Sequence, residues 1–186
     1  MKIILLLIAA MILTIGFNNK VEAQSTNTSA TVTGTHAGAV LIVPMGLSQT
    51  TPLHFGTIVL TSTAGGAVIL PSNSTALSFT GGVAVTAGNV TSMPSNAAYS
   101  VTGTMNETYA LTLPSTITIT ETTAGAATMT ISALTARFNG AGANAVSSTL
   151  SALGADNFTV GGTLTVPASA VAGIYDGTFN VSVDYN

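Results

Sequence analysis

The side chains able to do chemistry are few in this chain of 186 residues. His36 and His54 are its two histidines and there is no Cys, so none of the usual transition-metal ligand spacings is present. His54 stands between two large apolar residues, where a hydrogen-bonded structural role is favoured over that of a ligand. No Gly-x-Ser-x-Gly elbow is present to activate a serine.

The carboxylates form two pairs worth weighing. Glu107 and Glu121 could serve as the acid and base of a glycosidase, but the interpretation we favour leaves each solvated near a strand end or turn. Asp176 and Asp184 share the polar face of one predicted strand, about 26 Å apart at roughly 3.3 Å per residue, too far to share one calcium ion. We therefore predict a protein that is not an enzyme and that uses neither a cofactor nor a metal.

The N-terminus predicts export. Lys2 precedes an apolar run at 3–15, and 21–23 reads as a small-residue cleavage site, so residues 1–23 have the pattern of a secretory signal peptide. The run is shorter than the roughly 20 apolar residues that span a bilayer. We expect a secreted mature protein without an integral membrane span.

Charge is scarce in the expected mature chain, 24–186. Lys2 and Lys20 leave with the signal peptide, so Arg137 faces five acidic side chains and the net charge is 1 − 5 = −4 with both histidines neutral. Binding to nucleic acid or to an anionic membrane requires clustered Lys and Arg, which excludes both classes of partner. The uncharged polar surface left to Thr, Ser and Asn costs little to desolvate, which suits a protein that stacks on copies of itself.

Hydrophobic periodicity predicts an all-β chain. Thr- and Val-rich segments with period-two alternation recur between Gly, Pro, Asn and Ser turns, a pattern typical of an immunoglobulin-like antiparallel β-sandwich, here over 38–186. Apolar runs at 39–43 and 53–60 predict strands covered on both faces. Within the segment 139–156, residues 145–153 could form one short helix or a long loop, and the polar stretch 24–37 predicts a flexible leader.

The last fourteen residues carry the clearest alternation. Their large side chains share one parity, and the residues between them are polar, so the pattern predicts one strand with a buried and a wet face. The residues of the apolar parity are Tyr175, Phe179, Val181, Val183 and Tyr185.

Two segments resemble a known family. The first is similar to a Leu-x-Phe-Gly-x-Ile signature and reads Leu53-His54-Phe55-Gly56-Thr57-Ile58. The second is similar to a characteristic C-terminal block that starts at Val160-Gly161-Gly162-Thr163-Leu164 and continues through Gly173 to Tyr185. Together they resemble secreted bacterial β-domains of unknown function, of the DUF4402 type. The resemblance implies a bacterial protein of the periplasm, the cell surface or an extracellular filament.

The terminal block is also similar to fimbrial subunits of the chaperone–usher class, in which a chaperone and then a neighbouring subunit supply a strand that the sandwich lacks. Gly173 and Tyr185 match that class's Gly and penultimate Tyr. The resemblance implies a subunit interface along the terminal strand, at Gly173, Tyr175, Phe179, Val181, Val183 and Tyr185. It further implies a donor segment in the leader, at Ala30, Val32 and Gly34. The partners implied are copies of the chain and a periplasmic chaperone and usher.

Two functions remain open at this stage. The first is a non-enzymatic, exported structural protein, a fimbria-like or surface-coat subunit that assembles by β-strand addition. Many such subunits carry a disulfide, which this chain lacks, and residues 39–43 could instead complete the subunit's own sheet. The alternative is a monomeric cell-surface module that binds a carbohydrate or protein ligand, although a sugar platform would have to form without Trp.

Overall fold

The computed structural model describes residues 34, 36–85, 92–123, 127–168 and 170–186. The predicted signal peptide, together with Ala30 and Val32 of the leader, lies outside the described residues. The unit treated below is Leu41–Asn186. Ahead of it, Gly34 lies in a turn, and residues 36–40 are exposed and form no strand.

Within the described residues every regular element is a β-strand and every strand pair is antiparallel, so the predicted all-β antiparallel fold is confirmed. In chain order the strands are β1 (Gly46–Thr51), β2 (His54–Phe55), β3 (Ile58–Leu60), β4 (Gly66–Leu70), β5 (Ser78–Gly81), β6 (Val83–Val85), β7 (Pro94–Ser95), β8 (Ala97–Thr102), β9 (Thr108–Thr112), β10 (Thr116–Glu121), β11 (Thr128–Phe138), β12 (Ser147–Thr149), β13 (Ala155–Val166), β14 (Tyr175–Asp176) and β15 (Ser182–Tyr185).

A large sheet and a small sheet organise these strands. The large sheet has eight strands along the path β1-β8-β13-β11-β10-β14, with β4 beside β13 and β5 beside β4. The small sheet has three strands in the order β12-β9-β15, and β2-β7 and β3-β6 form two-stranded ribbons. The 12-residue strand β13 changes neighbours along its length, because 155–160 pairs with β8 and 162–166 pairs with β4.

The change of neighbours along β13 depends on Gly161. A Cβ atom at this position would collide with the carbonyl oxygen of Leu70 and would lie 2.6 Å from the backbone nitrogen of Ser72. Only a residue without a side chain lets the chain that leaves β4 pass this close to β13.

Two clusters of buried side chains form the core. Cluster one joins the small sheet to one half of the large sheet and comprises Ala97, Tyr99, Val101, Tyr109, Leu111, Ala136, Phe138, Leu150, Phe158 and Val160. Cluster two lies under the other half and comprises Phe55, Val68, Leu70, Val83, Ile117, Ile131, Leu164 and Val166. In cluster one, Tyr99 stacks on Phe158 with ring centroids 5.0 Å apart, a favourable aromatic geometry.

Hydroxyl side chains dominate the outer face of the large sheet, and Arg137 and Asp176 are the charged residues of its strands β11 and β14 on that face. Rows of hydroxyl side chains cross β10, β11 and β13 in register, formed by Thr118, Thr130 and Thr165 and by Thr116, Ser132 and Thr163. The residues between them, such as Ile117, Ile131 and Leu164, point into cluster two. Thr and Ser thus keep this face wet, as the composition predicts.

The apolar run at 39–43 predicts a covered strand, and this is wrong. No strand forms there, and Val40 and Leu41 are 91% and 85% exposed. Pro44 follows the run; it has no N–H group for a ladder hydrogen bond and it restricts the backbone of Val43. Regular pairing accordingly begins only at Gly46.

The apolar run at 53–60 forms two short strands instead of one. Gly56 has φ +74° and separates β2 from β3, so the run turns in its middle. Only Phe55 of this run is buried, in cluster two.

The segment 139–156 forms neither a helix nor a plain loop. Its centre is β12, which pairs with β9, and turns flank it on both sides. Arg137 fastens the first of these turns, because its guanidinium donates to the Asn144 Oδ1 atom at 3.1 Å and to the Ala141 carbonyl oxygen at 3.2 Å.

The terminal segment is predicted as one strand but forms two. β14 pairs with β10 in the large sheet, whereas β15 pairs with β9 in the small sheet. The chain still lies against β10 at Gly177, where a Cβ atom would be 2.6 Å from the Thr118 carbonyl oxygen, and it then crosses to the other sheet. Asp176 and Asp184 therefore lie on different sheets and not on one strand.

Candidate functional site

The outer edge of β15 is the feature that most resembles a binding site. Four residue pairs, from Ser182 with Thr112 to Tyr185 with Tyr109, join β15 to β9. Within the described residues no strand pairs with the other side of β15. β1 lies at an edge of the large sheet in the same way. A free strand edge carries N–H and C=O groups that can pair with an added strand.

The side chains along this edge are covered only in part. Val181, Val183 and Tyr185 pack against cluster one but are half-buried. Tyr109 and Leu111, on the neighbouring strand β9, contact the same cluster and are 0% and 5% exposed. The difference follows from position, because β9 has a strand on each side and β15 has one.

The start of β1 contributes to the same partly covered surface. Met45 and Leu47 are half-buried and pack against cluster one. We use the name edge groove for the half-buried side chains that pack on cluster one along the free edges of β1 and β15, namely Met45, Leu47, Val181, Val183 and Tyr185.

Tyr185 joins the two sides of the edge groove at one end. Its hydroxyl donates to the Val43 carbonyl oxygen at 2.6 Å and accepts from the Thr104 backbone nitrogen at 2.6 Å. The Thr104 hydroxyl in turn accepts from the Val43 backbone nitrogen at 2.6 Å. Gly103 leaves room for the phenol, because a Cβ atom there would collide with the Tyr185 hydroxyl. The ends of β8 and β15 are thereby tied to the chain that enters β1.

The structure separates the predicted interface residues of the terminal segment into two groups. Phe179, Val181, Val183 and Tyr185 all pack on cluster one. By contrast, Tyr175 lies in β14 opposite Glu121, and its hydroxyl donates to the Val171 carbonyl oxygen at 2.8 Å.

Gly173 and the leader residues lie apart from the edge groove as well. Gly173 is exposed and passes over Glu121, where a Cβ atom would come within 2.8 Å of the carboxyl group. Of the predicted donor residues, Gly34 is exposed in a turn with φ +78°, and Ala30 and Val32 lie outside the described residues.

Sequence reasoning missed the contribution of β1. Met45 and Leu47 alternate with Gly46 and Ser48 directly after Pro44, which is a short period-two signal. The stronger apolar run immediately before Pro44 masked it.

A partly buried polar network joins the small sheet to the large one beside cluster one. The hydroxyl of Tyr109, which is fully buried, donates to the Asp156 Oδ2 atom at 2.9 Å, and the Ser148 hydroxyl donates to the same oxygen at 2.7 Å. The Asn157 backbone nitrogen donates to the Asp156 Oδ1 atom at 2.7 Å. Burial first, and then the hydrogen bond and charge of Asp156, raise the pKa of Tyr109 well above its ordinary value.

The carboxylates considered for catalysis lie in unlike environments. Glu107 is exposed, as expected. Glu121 is not solvated, contrary to expectation, because it is only 6% exposed and its Oε1 atom accepts from the Thr123 backbone nitrogen at 3.0 Å. The turn after β10 and the segment around Gly173 cover it.

The two histidines are exposed, and His54 makes local contacts. His54 is exposed and its Nδ1 atom accepts from the Gly56 backbone nitrogen at 2.8 Å, with the Ser92 hydroxyl 3.2 Å away. His36 is exposed. In the part of the chain that the structure describes, no three His, Cys, Asp or Glu residues come together as metal ligands do, and no helix has the length and apolar character to cross a bilayer.

A second concave surface lies on the opposite side of β9 from β15. It is an open groove of about 550 Å³ between the β9–β10 connection, the bulge of β11 and residues 144–146. Its lining is mostly apolar and includes Leu111, Leu113, Pro114, Leu134 and Val146. No acidic, basic or histidine side chain lines it, so it offers apolar contact rather than chemistry.

One comparison with known proteins finds a match. A family model described as a domain of unknown function (DUF4402) matches residues 45–185, which is 185 − 45 + 1 = 141 of the 186 residues. The matched region begins at Met45 and ends at Tyr185, two residues of the edge groove. No curated protein matches the chain.

Proposed function

Since this chain belongs to the DUF4402 family of domains of unknown function, we propose a function that the family description leaves open. The protein is a non-enzymatic, exported structural subunit that assembles with copies of itself by β-strand addition. Its place of action is the bacterial periplasm, the cell surface or an extracellular filament, and a chaperone and usher of the periplasm are its further partners.

The observation that carries the proposal is the incomplete burial along the free edge of β15. Val181 and Val183 are half-exposed although they pack on cluster one. An added strand would cover these side chains, and each Å² of apolar surface removed from water contributes roughly 25 cal/mol. Its backbone would pair with the free edge as in other cases of strand addition.

Two further features support an assembly role over a binding-module role. Asp184 is the only charged side chain on β15, so little charge must be desolvated when another chain covers this edge. Among the described residues, every Tyr and Phe side chain is buried or half-buried, so an aromatic platform for a sugar has no support in this part of the chain.

The test is the size of the native protein. The exported chain is run on a denaturing gel with and without boiling, and the same material is viewed by electron microscopy. We expect fibres, and a ladder that collapses to one band only on boiling, because strand-exchanged subunits separate only when the sandwich unfolds. A soluble monomer in both lanes would contradict the proposal and would favour the monomeric surface-binding module.

A further inference from the structure

A run of four large apolar residues is exposed immediately before the first strand. Val40, Leu41, Ile42 and Val43 are 91%, 85%, 61% and 57% exposed. Isolated exposed apolar side chains are ordinary, but a contiguous exposed run marks a surface that another molecule covers. Three of the four are β-branched, which favours an extended strand conformation.

We propose that 40–43 of one copy is the segment that adds to the β15 edge of the next copy. This inference rests on the proposed function and names the inserted residues, which differ from the leader residues Ala30, Val32 and Gly34. The occupant of the edge groove is thus a second copy of this chain.

The length and conformation of the run fit the edge. Four residues of β15 pair with β9, and their outer side offers an edge of the same length to an added strand. The backbone of Val43 is bonded to Thr104 and Tyr185 of its own copy, so Val43 anchors the run and the backbone of 40–42 pairs with the neighbour. Val43 precedes Pro44, and a residue before proline is biased towards extended backbone. The run therefore loses little conformational freedom when it pairs as a strand.

The contacts within one copy anchor the run but leave its side chains uncovered. Val43 is held by Tyr185 and Thr104 through backbone hydrogen bonds, while the side chain of Val43 and those of Leu41 and Ile42 remain exposed. The run is thus anchored at one end of its own edge groove without filling it. A neighbouring copy offers the same groove, and filling it covers apolar surface on both partners.

Three double variants of the full chain test the inference. They are Val40→Thr with Ile42→Thr, Leu41→Thr with Val43→Thr, and Ala30→Asp with Val32→Asp. Threonine keeps the β-branch of Val40, Ile42 and Val43 and introduces one at Leu41. At each position it brings in a hydroxyl, which is costly only on the face of a strand that becomes buried. The leader variant introduces two charges, a larger change than the threonine substitutions. An unchanged ladder in this variant would therefore show that Ala30 and Val32 are not inserted. Thermal unfolding of each variant checks that the domain still folds, which we expect because residues 40–43 are exposed.

The measured quantity is the temperature at which the unboiled ladder collapses. We expect one of the two threonine pairs to lower it and the other to leave it unchanged, since an added strand buries one parity. The leader variant should match the wild type. If both threonine pairs act equally or neither acts, the run does not insert as a strand and the inference is overturned.

The same gels separate the inference from the function on which it rests. A wild-type ladder that is lost in the leader variant and kept in both threonine pairs would leave strand addition in place and assign the inserted segment to the leader. A wild-type chain that forms no ladder would overturn both.

Discussion

At the residue scale, the carboxylate of Asp156 is the point where the two sheets are joined by polar contacts. It lies on β13 of the large sheet and accepts from Tyr109 and Ser148, which lie on β9 and β12 of the small sheet. A buried phenol needs such a partner, because an unsatisfied buried hydroxyl costs roughly 1–3 kcal/mol. The network stabilises the sandwich only while the phenol keeps its proton.

The first prediction concerns alkaline pH. The pKa of Tyr109 is raised in the folded state, whereas in the unfolded chain it is about 10. The protonated Tyr109 phenol therefore contributes fully to the free energy of unfolding below about pH 10. This contribution is lost as the pH rises above that value, with a slope of up to about 1.4 kcal/mol per pH unit for one proton. Urea unfolding on both sides of that pH should show the free energy of unfolding falling in the wild type and falling less steeply in Tyr109→Phe.

Tyr175→Phe is the matched control for this prediction, since the Tyr175 hydroxyl donates to the Val171 carbonyl oxygen at an exposed site. Burial also raises the pKa of Tyr99, so part of the slope should remain in Tyr109→Phe. Equal slopes in the wild type and Tyr109→Phe would show that Tyr109 does not supply the pH dependence.

At the scale of elements, β13 determines how the two core clusters share one sheet. Its first half pairs with β8 over cluster one, and its second half pairs with β4 over cluster two. Gly161 lies at the change, where the chain that leaves β4 approaches its Cα atom. The Gly-Gly pair at 161–162 is thus a packing feature of the sheet and not an interruption of the strand.

The second prediction is the cost of a methyl group at this point. Gly161→Ala should destabilise the domain by about 1–3 kcal/mol or more, the usual range for overpacking, because the Cβ atom meets backbone atoms that have no rotamer to change. Gly142→Ala is the control, since nothing lies within 4 Å of its Cβ position. Urea unfolding of both variants measures the loss in the free energy of unfolding. A loss for Gly161→Ala no larger than for the control would show that the segment leaving β4 can move away from β13 without cost.

The terminal segment shows a second property at this scale. The alternation of large and polar residues continues from β14 to β15, although the two strands belong to different sheets. Phe179 lies in the crossing between them and packs on both core clusters. A single face can therefore stay turned inward while the chain moves from one sheet to the other.

At the scale of the whole molecule, the scarcity of charge defines how copies can meet. The expected mature chain has one basic side chain, Arg137, and five acidic ones. Arg137 is committed to the Asn144 and Ala141 oxygen atoms of its own chain. In the proposed assembly, contacts between copies would therefore come from backbone pairing, uncharged polar side chains and apolar burial.

The third prediction follows from that balance. Raising sodium chloride from about 0.1 M to about 1 M shortens the screening length from roughly 10 Å to roughly 3 Å, yet it should leave the collapse temperature of the unboiled ladder unchanged. Urea, which weakens apolar burial and backbone pairing, should lower it and serves as the positive control. A fall with sodium chloride would place ion pairs between the subunits instead.

The sequence by itself determined the strands whose side chains alternate strictly. Thr116–Glu121 and Thr108–Thr112 were predictable, because a period of two fixes which face is buried whatever the partner strand is. The alternating terminal residues of the edge groove, Val181, Val183 and Tyr185, could be predicted for the same reason.

Only the tertiary structure decided which strand lies beside which, and this pairing determines that the outer edge of β15 is free. The apolar run at 39–43 reads as a core strand, but burial depends on neighbours that a single segment does not encode, and the run is exposed. Conversely, Glu121 reads as a solvated acid, but it is buried because a distant segment passes over it. Local pattern fixes the face of a strand, whereas long-range pairing fixes whether that face is covered, and the half-covered edge of β15 belongs to the second kind of information.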